Sequence, residues 1–401
     1  MTPFKHLLAT AEAWPLPQAC QLLPDASRWP HQPVIFISDL HATPEALTTS
    51  LLATGFFGLD AEGELQPLLP VSDFRLVLGG DYFDKGQQPL KLVQQLLRLQ
   101  QQVQLTLLAG NHDVRTYLAM QAVGRSSDPL TGHFFLRQGS RFFSWADALR
   151  RDLDEAAQPD EATCCQRLLP PDDWVVRFSE AVAGRLPVLQ VEAEIRRFAR
   201  RRDAFLAERK KRRMSWRQVH AVAECWRSRF LHPEGEAFAF TAALQLLHRD
   251  AGVLFSHAGV DDSQAQALLQ QGVAAMDQQF QVQLLSGQDE MAFAVYFSAA
   301  ASLLRTKYRS HEWAFTQQGA TALSQSGIQL LVNGHRNLTA GQQLVCREGL
   351  LCIDADISLN PTTRRENGLK GEGAGFTLLL PDAQVLAVAA DYPRPRLLRV
   401  G

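Results

Sequence analysis

Asp39-Leu40-His41, Gly80-Asp81-Tyr82-Phe83-Asp84, Gly110-Asn111-His112-Asp113, Ser256-His257-Ala258-Gly259 and Asn333-Gly334-His335 are five polar signatures, each closing an apolar run. Together they offer carboxylates, an amide oxygen and imidazoles, the donor set of a two-metal hydrolytic centre. One residue separates Asp39 from His41, so an extended or just-turning chain can aim both at one ion. Asp81 can bridge two cations through its two oxygens, and Asn111, His257 and His335 would complete the coordination of the second. Cations held roughly 3.5–4 Å apart acidify water and stabilise charge in an in-line phosphoryl displacement. The departing alkoxide still needs a proton, and His112, beside Asn111 and oriented by Asp84, is placed to give it.

Singly, each residue has a plainer reading. An aspartate at a strand end is generally a turn or helix cap, and a lone buried histidine generally an ordinary hydrogen-bonded residue. Five signatures in order after strand-like runs select the metal reading. Ser38 and Ser256 adjoin signature residues without a base of their own, which argues against a nucleophilic serine.

The elements that must carry these residues follow from the runs before them. Residues 34–38, 74–79, 103–108, 252–255 and 328–332 read as strands, each delivering a polar residue at its carboxyl end. Helices are predicted over 44–53, with Thr43 as N-cap, and over 89–100, where leucines fall at helical spacing. Strand and helix alternate, with function at the strand ends, as in α/β folds whose ligands bind outside the sheet edge. Short strands at 344–353, 375–380 and 384–389 predict a second sheet, and 360–373 reads as a flexible loop able to flap over the site.

Residues 121–249 hold no signature but contain Trp145, Trp174, Trp216 and Trp226 and a long helical pattern at 186–213. They are expected to form a mostly helical insertion within one domain spanning 1–401. Arg196, Arg197, Arg200, Arg201 and Arg202, then Arg209 to Arg213 with two lysines, concentrate ten positive charges there. A solvated helix face, offset by Glu192, Glu194, Asp203 and Glu208, is one reading; a guide for phosphorylated substrates or an acidic partner is the other.

Formal charge is −2, from 40 basic and 42 acidic residues, which gives no reason to expect nucleic acid or an anionic membrane as partner. The first 30 residues show no continuous apolar stretch, so neither a signal peptide nor a membrane span is expected. The six cysteines form no C-x-x-C pair and read as free thiols of a reducing compartment, the cytoplasm.

On these motifs the chain resembles the calcineurin-like metallophosphoesterases, and within them the serine/threonine protein phosphatase-like branch. The resemblance spans Asp39 to His335 and leaves the inserted segment unexplained. It implies two central mixed β-sheets flanked by helices, a four-layer αββα sandwich. It also implies two divalent ions, manganese with iron or zinc as alternatives. By resemblance, Asp39, His41 and Asp81 hold the first ion and Asp81, Asn111, His257 and His335 the second, with His112 the acid and Asp84 its orienter. Substrate phosphate would meet Lys85, Asn111 and an arginine between the last two signatures, Arg305 or Arg309.

Departures from the family pattern are specific. Gly334-His335-Arg336-Asn337 lacks the second histidine of many members, as in the protein-phosphatase branch. Lys85 stands where that branch has arginine, keeping charge but losing a planar bidentate grip. Asp113 replaces a glutamate, and Ala258-Gly259 a glycine pair.

The leading function is therefore hydrolysis of phosphomonoesters, on a phosphorylated protein or a small phosphoester. Cleavage of a nucleotide phosphoanhydride or phosphodiester, including dinucleoside polyphosphates, is the enzymatic alternative, since metal ligands do not choose the leaving group. A non-catalytic binding or scaffold protein keeping the fold is the third reading, weakened because no expected ligand is missing.

Overall fold

The structure is a computed structural model and describes residues 4–20, 24–150, 153, 155–306 and 314–400. Two sheets pack face to face. The first has eight strands, and its centre is the parallel trio Val34–Ile37, Arg75–Leu78 and Leu105–Leu108. The second has five, with Val253–Ser256, Leu330–Asn333 and Leu350–Asp354 running parallel side by side. Both also contain antiparallel pairs, so each is mixed.

The continuous apolar runs are explained by burial on both faces. Val34, Phe36, Val77 and Leu108 point between the sheets, where they meet Phe255, Leu330, Val332, Leu351 and Ile353. Phe36 and Phe255 stack there at 5.7 Å between ring centres. The alternate residues, Ile35, Ile37, Leu76, Leu78, Leu254 and Leu331, face the outer core formed with the helices. Alternation within one short strand thus builds two cores, giving helix, sheet, sheet and helix layers with a helical insertion.

Helix Pro44–Thr54 begins with proline at its first turn and ends on Gly55 in the left-handed region. Thr43 does not cap it, because its hydroxyl donates to the His41 carbonyl at 3.1 Å. Helix Pro89–Gln102 buries Leu92, Val93, Leu96 and Leu99 as its spacing predicts.

Two C-terminal expectations are corrected. The Gly375–Leu380 and Gln384–Ala389 hairpin extends the first sheet through Val34–Ile37, and only Gln343–Arg347 with Leu350–Asp354 joins the second. Those last two strands are a hairpin turned at Glu348 and Gly349, both at positive φ. Within 360–373, Pro361–Glu366 is helical, capped by Asn360, and Arg364 is buried with Asp391 and the carbonyls of Lys370 and Gly371 as partners. That segment is anchored rather than a flap.

Among the described residues, the regular elements from Phe134–Arg137 to Phe238–Ala242 are all helices, the longest being Val188–Lys211. Leu244–Gln245 and Leu247–Asp250, at the end of the expected insertion range, are strands of the first and second sheets respectively. Trp145, Trp174 and Trp226 are fully buried among these helices. The insertion docks on Phe83, whose ring meets Trp145, Phe230 and Phe240 at 5.5, 5.7 and 5.5 Å. Phe83 lies between Asp81 and Asp84, so this packing fixes the turn that carries both carboxylates.

Candidate metal centre

The signature residues leave the carboxyl ends of the strands on tight, strained turns. Asp39, His41, Asp81, Asp84, Lys85 and His335 all hold positive φ, between 46° and 67°. Such a conformation costs roughly 1–2 kcal/mol for a residue with a Cβ, so the surrounding structure must enforce it. Asp113 does so for the Asp81 turn. Its buried carboxylate accepts from the backbone N–H groups of Asp81 at 2.7 Å, Tyr82 at 2.8 Å and Gly110 at 2.8 Å. Burial first, then the Asp81 charge, pushes Asp113 up to about 8, against those N–H donors. Gly110 and Gly334 must be glycine, because a Cβ at either would strike the Asp81 or Asp39 carboxylate respectively.

Asp81 lies at the middle. Its Oδ2 is 3.7 Å from His41 Nε2 and 3.8 Å from His112 Nε2, while its Oδ1 is 3.5 Å from His257 Nε2. His41, Asp81 and His112 form one group of converging donors and Asp81, His257 and His335 another, so the aspartate is shared as a bridging carboxylate requires. His257 Nδ1–H donates to the Gly79 carbonyl at 2.7 Å, which leaves Nε2 free to ligate. His335 Nδ1 meets that Nε2 at 3.1 Å. Asp39 Oδ1 is 3.9 Å from His41 Nε2, and its Oδ2 accepts from His335 N at 2.9 Å and from the Ser38 hydroxyl. His257 is raised above the ordinary histidine value: burial opposes its charge, but Asp81 and Asp39 outweigh it.

Asn111 and His112 start helix Asn111–Gln121, which directs both from its first turn. Asn111 Oδ1 is buried and without a hydrogen-bond partner, an orphaned acceptor of the kind a cation satisfies. Oxygen and imidazole donors without thiolates fit a divalent ion such as manganese, iron or zinc.

Beside this lies a dyad. His112 Nδ1 sits 2.6 Å from Asp84 Oδ1, and Asp84 Oδ2 also accepts from Arg115 Nη2 at 2.7 Å and Arg141 Nη1 at 2.5 Å. Burial opposes the Asp84 charge, yet Arg141 and His112 hold its carboxyl well below the usual range. Lys85 Nζ is 2.8 Å from His41 Nε2 and 3.4 Å from Thr363 Oγ1. A cavity of about 390 Å³ opens from Lys85 along Ser140, Arg141, Ser144 and Thr362.

The structure thus brings together Asp39, His41, Asp81, Asp84, Lys85, Asn111, His112, His257 and His335. Arg305 is buried, its guanidinium stacked on Tyr296 at 4.3 Å and donating to the Tyr296 carbonyl at 2.6 Å, while the next residue's N–H reaches His335. Arg309 lies outside the described residues. Three residues at the centre escaped sequence reasoning. Arg115 was findable, since it falls three residues after His112 on a helix face. Arg141, in the insertion, carried no signal. Asp356 follows the Leu350–Asp354 strand at the same sheet edge; it is buried, its Oδ2 lacks a hydrogen-bond partner, and burial with the Asp39 charge raises it well above the carboxylate range.

Two donor groups sharing one carboxylate, at the ends of strands from two packed sheets, define a dinuclear centre whose geometry is consistent with metal-dependent phosphoester hydrolysis. The chain belongs to the calcineurin-like phosphoesterase family, which matches residues 32–261, more than half of it. No curated protein matches the chain by sequence. Among solved structures, it is similar to a cold-active protein tyrosine phosphatase at 14% identity, over 95% of this chain and 86% of that one, with a TM-score of 0.48. A cold-active protein-tyrosine phosphatase of a psychrophilic Shewanella gives 15%, 94%, 82% and 0.46. A serine/threonine phosphatase from Saccharomyces cerevisiae gives 11%, 88%, 74% and 0.39. None reaches a TM-score of 0.5, and the family assignment rests on the matched residues.

Among the described residues, no helix is long and apolar enough to cross a membrane.

Proposed function

We propose that the protein hydrolyses phosphomonoesters, with phosphoserine or phosphothreonine of proteins, or a small phosphoester, as substrate. Asp39, His41 and Asp81 would hold one divalent ion, and Asp81, Asn111, His257 and His335 the other, manganese being the first choice. Bound there, the ions supply an acidified water and stabilise charge on phosphoryl oxygens. His112 gives its Nε2 proton to the leaving oxygen, and Asp84 holds the ring by Nδ1. Lys85, Asn111 and one of Arg305 and Arg309 bind phosphate, as the resemblance implies. Arg115 and Arg141 add guanidinium groups beside His112. The six cysteines are free thiols, which supports a cytoplasmic setting. The chain acts as one domain with the 121–249 insertion.

The observation that carries the monoester reading is the positive charge gathered at the dyad. Arg115, Arg141 and Lys85 suit a phosphoryl dianion better than a diester monoanion. Turnover of p-nitrophenyl phosphate and bis(p-nitrophenyl) phosphate with manganese tests it. Monoester kcat/KM should lead by about tenfold or more, the worth of one charge-assisted hydrogen bond. A diester preference would move nucleotide phosphoanhydrides and diesters to the front; full metal occupancy without turnover of either would favour the scaffold reading.

A further inference from the structure

One segment clasps Lys85 at both its backbone and its ammonium. Helix Pro361–Glu366 follows Asn360, whose Oδ1 accepts from Thr363 N at 2.8 Å and so caps the helix. Thr362 Oγ1 donates to the Lys85 carbonyl at 3.0 Å, and Lys85 Nζ donates to Thr363 Oγ1 at 3.4 Å. The first bond steadies a residue whose φ is +59°. The second reaches a hydroxyl that is itself fixed, because Thr363 is fully buried and its Oγ1 also accepts from Asn360 Nδ2 at 2.9 Å. Arg364, the next residue, ties the same turn to Asp391 at 2.8 Å.

The ammonium also meets His41 Nε2 at 2.8 Å. That nitrogen is 3.7 Å from Asp81 Oδ2 and 3.9 Å from Asp39 Oδ1, whereas Nδ1 turns to the Phe83 carbonyl and Asp84, both at 3.5 Å. Nε2 is therefore the atom that would ligate the first ion, and an ion bound there uses the lone pair that Lys85 meets. Thr363 Oγ1 belongs to neither donor group, so it can keep the ammonium in either case. An ammonium carries three donors, and one spent on Thr363 leaves two for phosphoryl oxygens. Lysine needs such a partner more than arginine does, because its charge rides on a flexible stem without a planar fork.

We propose that Thr363 is a positioning residue for Lys85, its hydroxyl holding the ammonium in place for the phosphoryl oxygens of the substrate. This inference rests on Lys85 as a phosphate-binding residue, part of the function proposed above, and gives the 360–366 segment a role in substrate binding. Thr363 acts through Lys85 and touches no reacting atom.

Calorimetric titration of the manganese-loaded protein with inorganic phosphate tests the role without turnover. Thr363→Val should weaken phosphate binding about tenfold, the worth of one hydrogen bond to a charged group, and Thr363→Ser should keep most of the wild-type affinity. Lys85→Met should weaken binding at least as much, and adding Thr363→Val to it should cost less than about twofold more, since the two changes remove one interaction. Thr363→Ala takes the place of the valine in the same cycle if that variant does not fold. Wild-type affinity in Thr363→Val, or equal affinity in the wild type and Lys85→Met, would overturn the proposal. So would a tenfold loss that persists in the Lys85→Met background, because Thr363 would then act on the fold and not on Lys85. Absence of phosphomonoester turnover by the wild type would count against the proposed reaction alone, because the titration needs no hydrolysis.

Discussion

Replacing His112 with asparagine separates two roles that its position allows. Its Nδ1 is held by Asp84 at 2.6 Å, but its Nε2 stands 3.8 Å from Asp81 Oδ2, in the same donor group as His41. As a proton donor, His112 must be an imidazolium when the leaving oxygen departs. At a separation of about 4 Å between the charge centres, the Asp84 charge favours that state by about 4 kcal/mol, taking an effective dielectric constant of roughly 20. Arg115 Nη2 at 2.9 Å and Arg141 Nη1 at 3.4 Å from Nδ1 oppose it. Burial, with those two guanidinium groups, wins over Asp84 and keeps His112 well below the ordinary histidine value in the free protein. A phosphoryl dianion bound at Nε2 would add negative charge there and so favour the imidazolium.

General acid catalysis is worth about 10²–10⁴-fold, or roughly 3–5 kcal/mol. The asparagine variant should therefore lose about 10³-fold in kcat/KM on an alkyl phosphomonoester and less than about tenfold on p-nitrophenyl phosphate, whose leaving group departs without a proton. Elemental analysis should find its manganese content unchanged. Loss of an equivalent of metal, or equal loss of rate on both substrates, would refute the acid assignment and make His112 a ligand.

Asp81→Asn removes the carboxylate common to both donor groups, so manganese affinity measured by calorimetry should fall by more than the roughly 10–100-fold typical of outer ligands, and turnover with it. Unchanged affinity would show that Asp81 does not bridge. Asp113→Glu adds a methylene to a fully buried carboxylate held by three backbone N–H groups, so it should lower stability by about 1–3 kcal/mol in urea melts; an unchanged midpoint would show that the turn can expand. Asp277 accepts from the N–H groups of Leu246 and Leu247, yet burial pushes it from 3.8 up to about 6. A raised folded value means that the native state holds the proton more tightly, so stability falls as pH rises from about 4 to about 6. Asp277→Asn keeps an acceptor and should gain at most about 3 kcal/mol above that window and little below it. An equal effect at both ends would refute the assignment.

The strands and the site were legible in the sequence for one reason. Val34–Ile37, Arg75–Leu78 and Val253–Ser256 are buried on both faces, so they read as unbroken apolar runs, and the polar residue ending each run stands at the sheet edge. Pairing is a different matter. The 375–389 hairpin looked like part of a second sheet because local pattern reports strand character, whereas its partner Val34–Ile37 lies far away in the chain. Arg364 looked like a mobile loop residue because its neighbours are polar and glycine-rich, but Asp391 buries it. Arg141 and Asp356 were illegible because tertiary folding alone brings the insertion and the Leu350–Asp354 strand to the centre.

Lys85 and the insertion, two unrelated departures in the sequence, meet at Asp84. Lys85 lacks the planar fork of the arginine it replaces, and its Nζ is drawn to His41 and Thr363. Planar guanidinium groups are nonetheless present at the dyad, from Arg115 on the helix after the third signature and from Arg141 on the insertion. Both end on the carboxylate that holds His112, so the charge state of His112 and the docking of the insertion are one electrostatic unit. The insertion is then more than a cover over the site. Phe83 fixes its position against the Asp81 turn, and Arg141 carries its charge to the Asp84 carboxylate, which ties the dyad to a segment the five signatures do not contain.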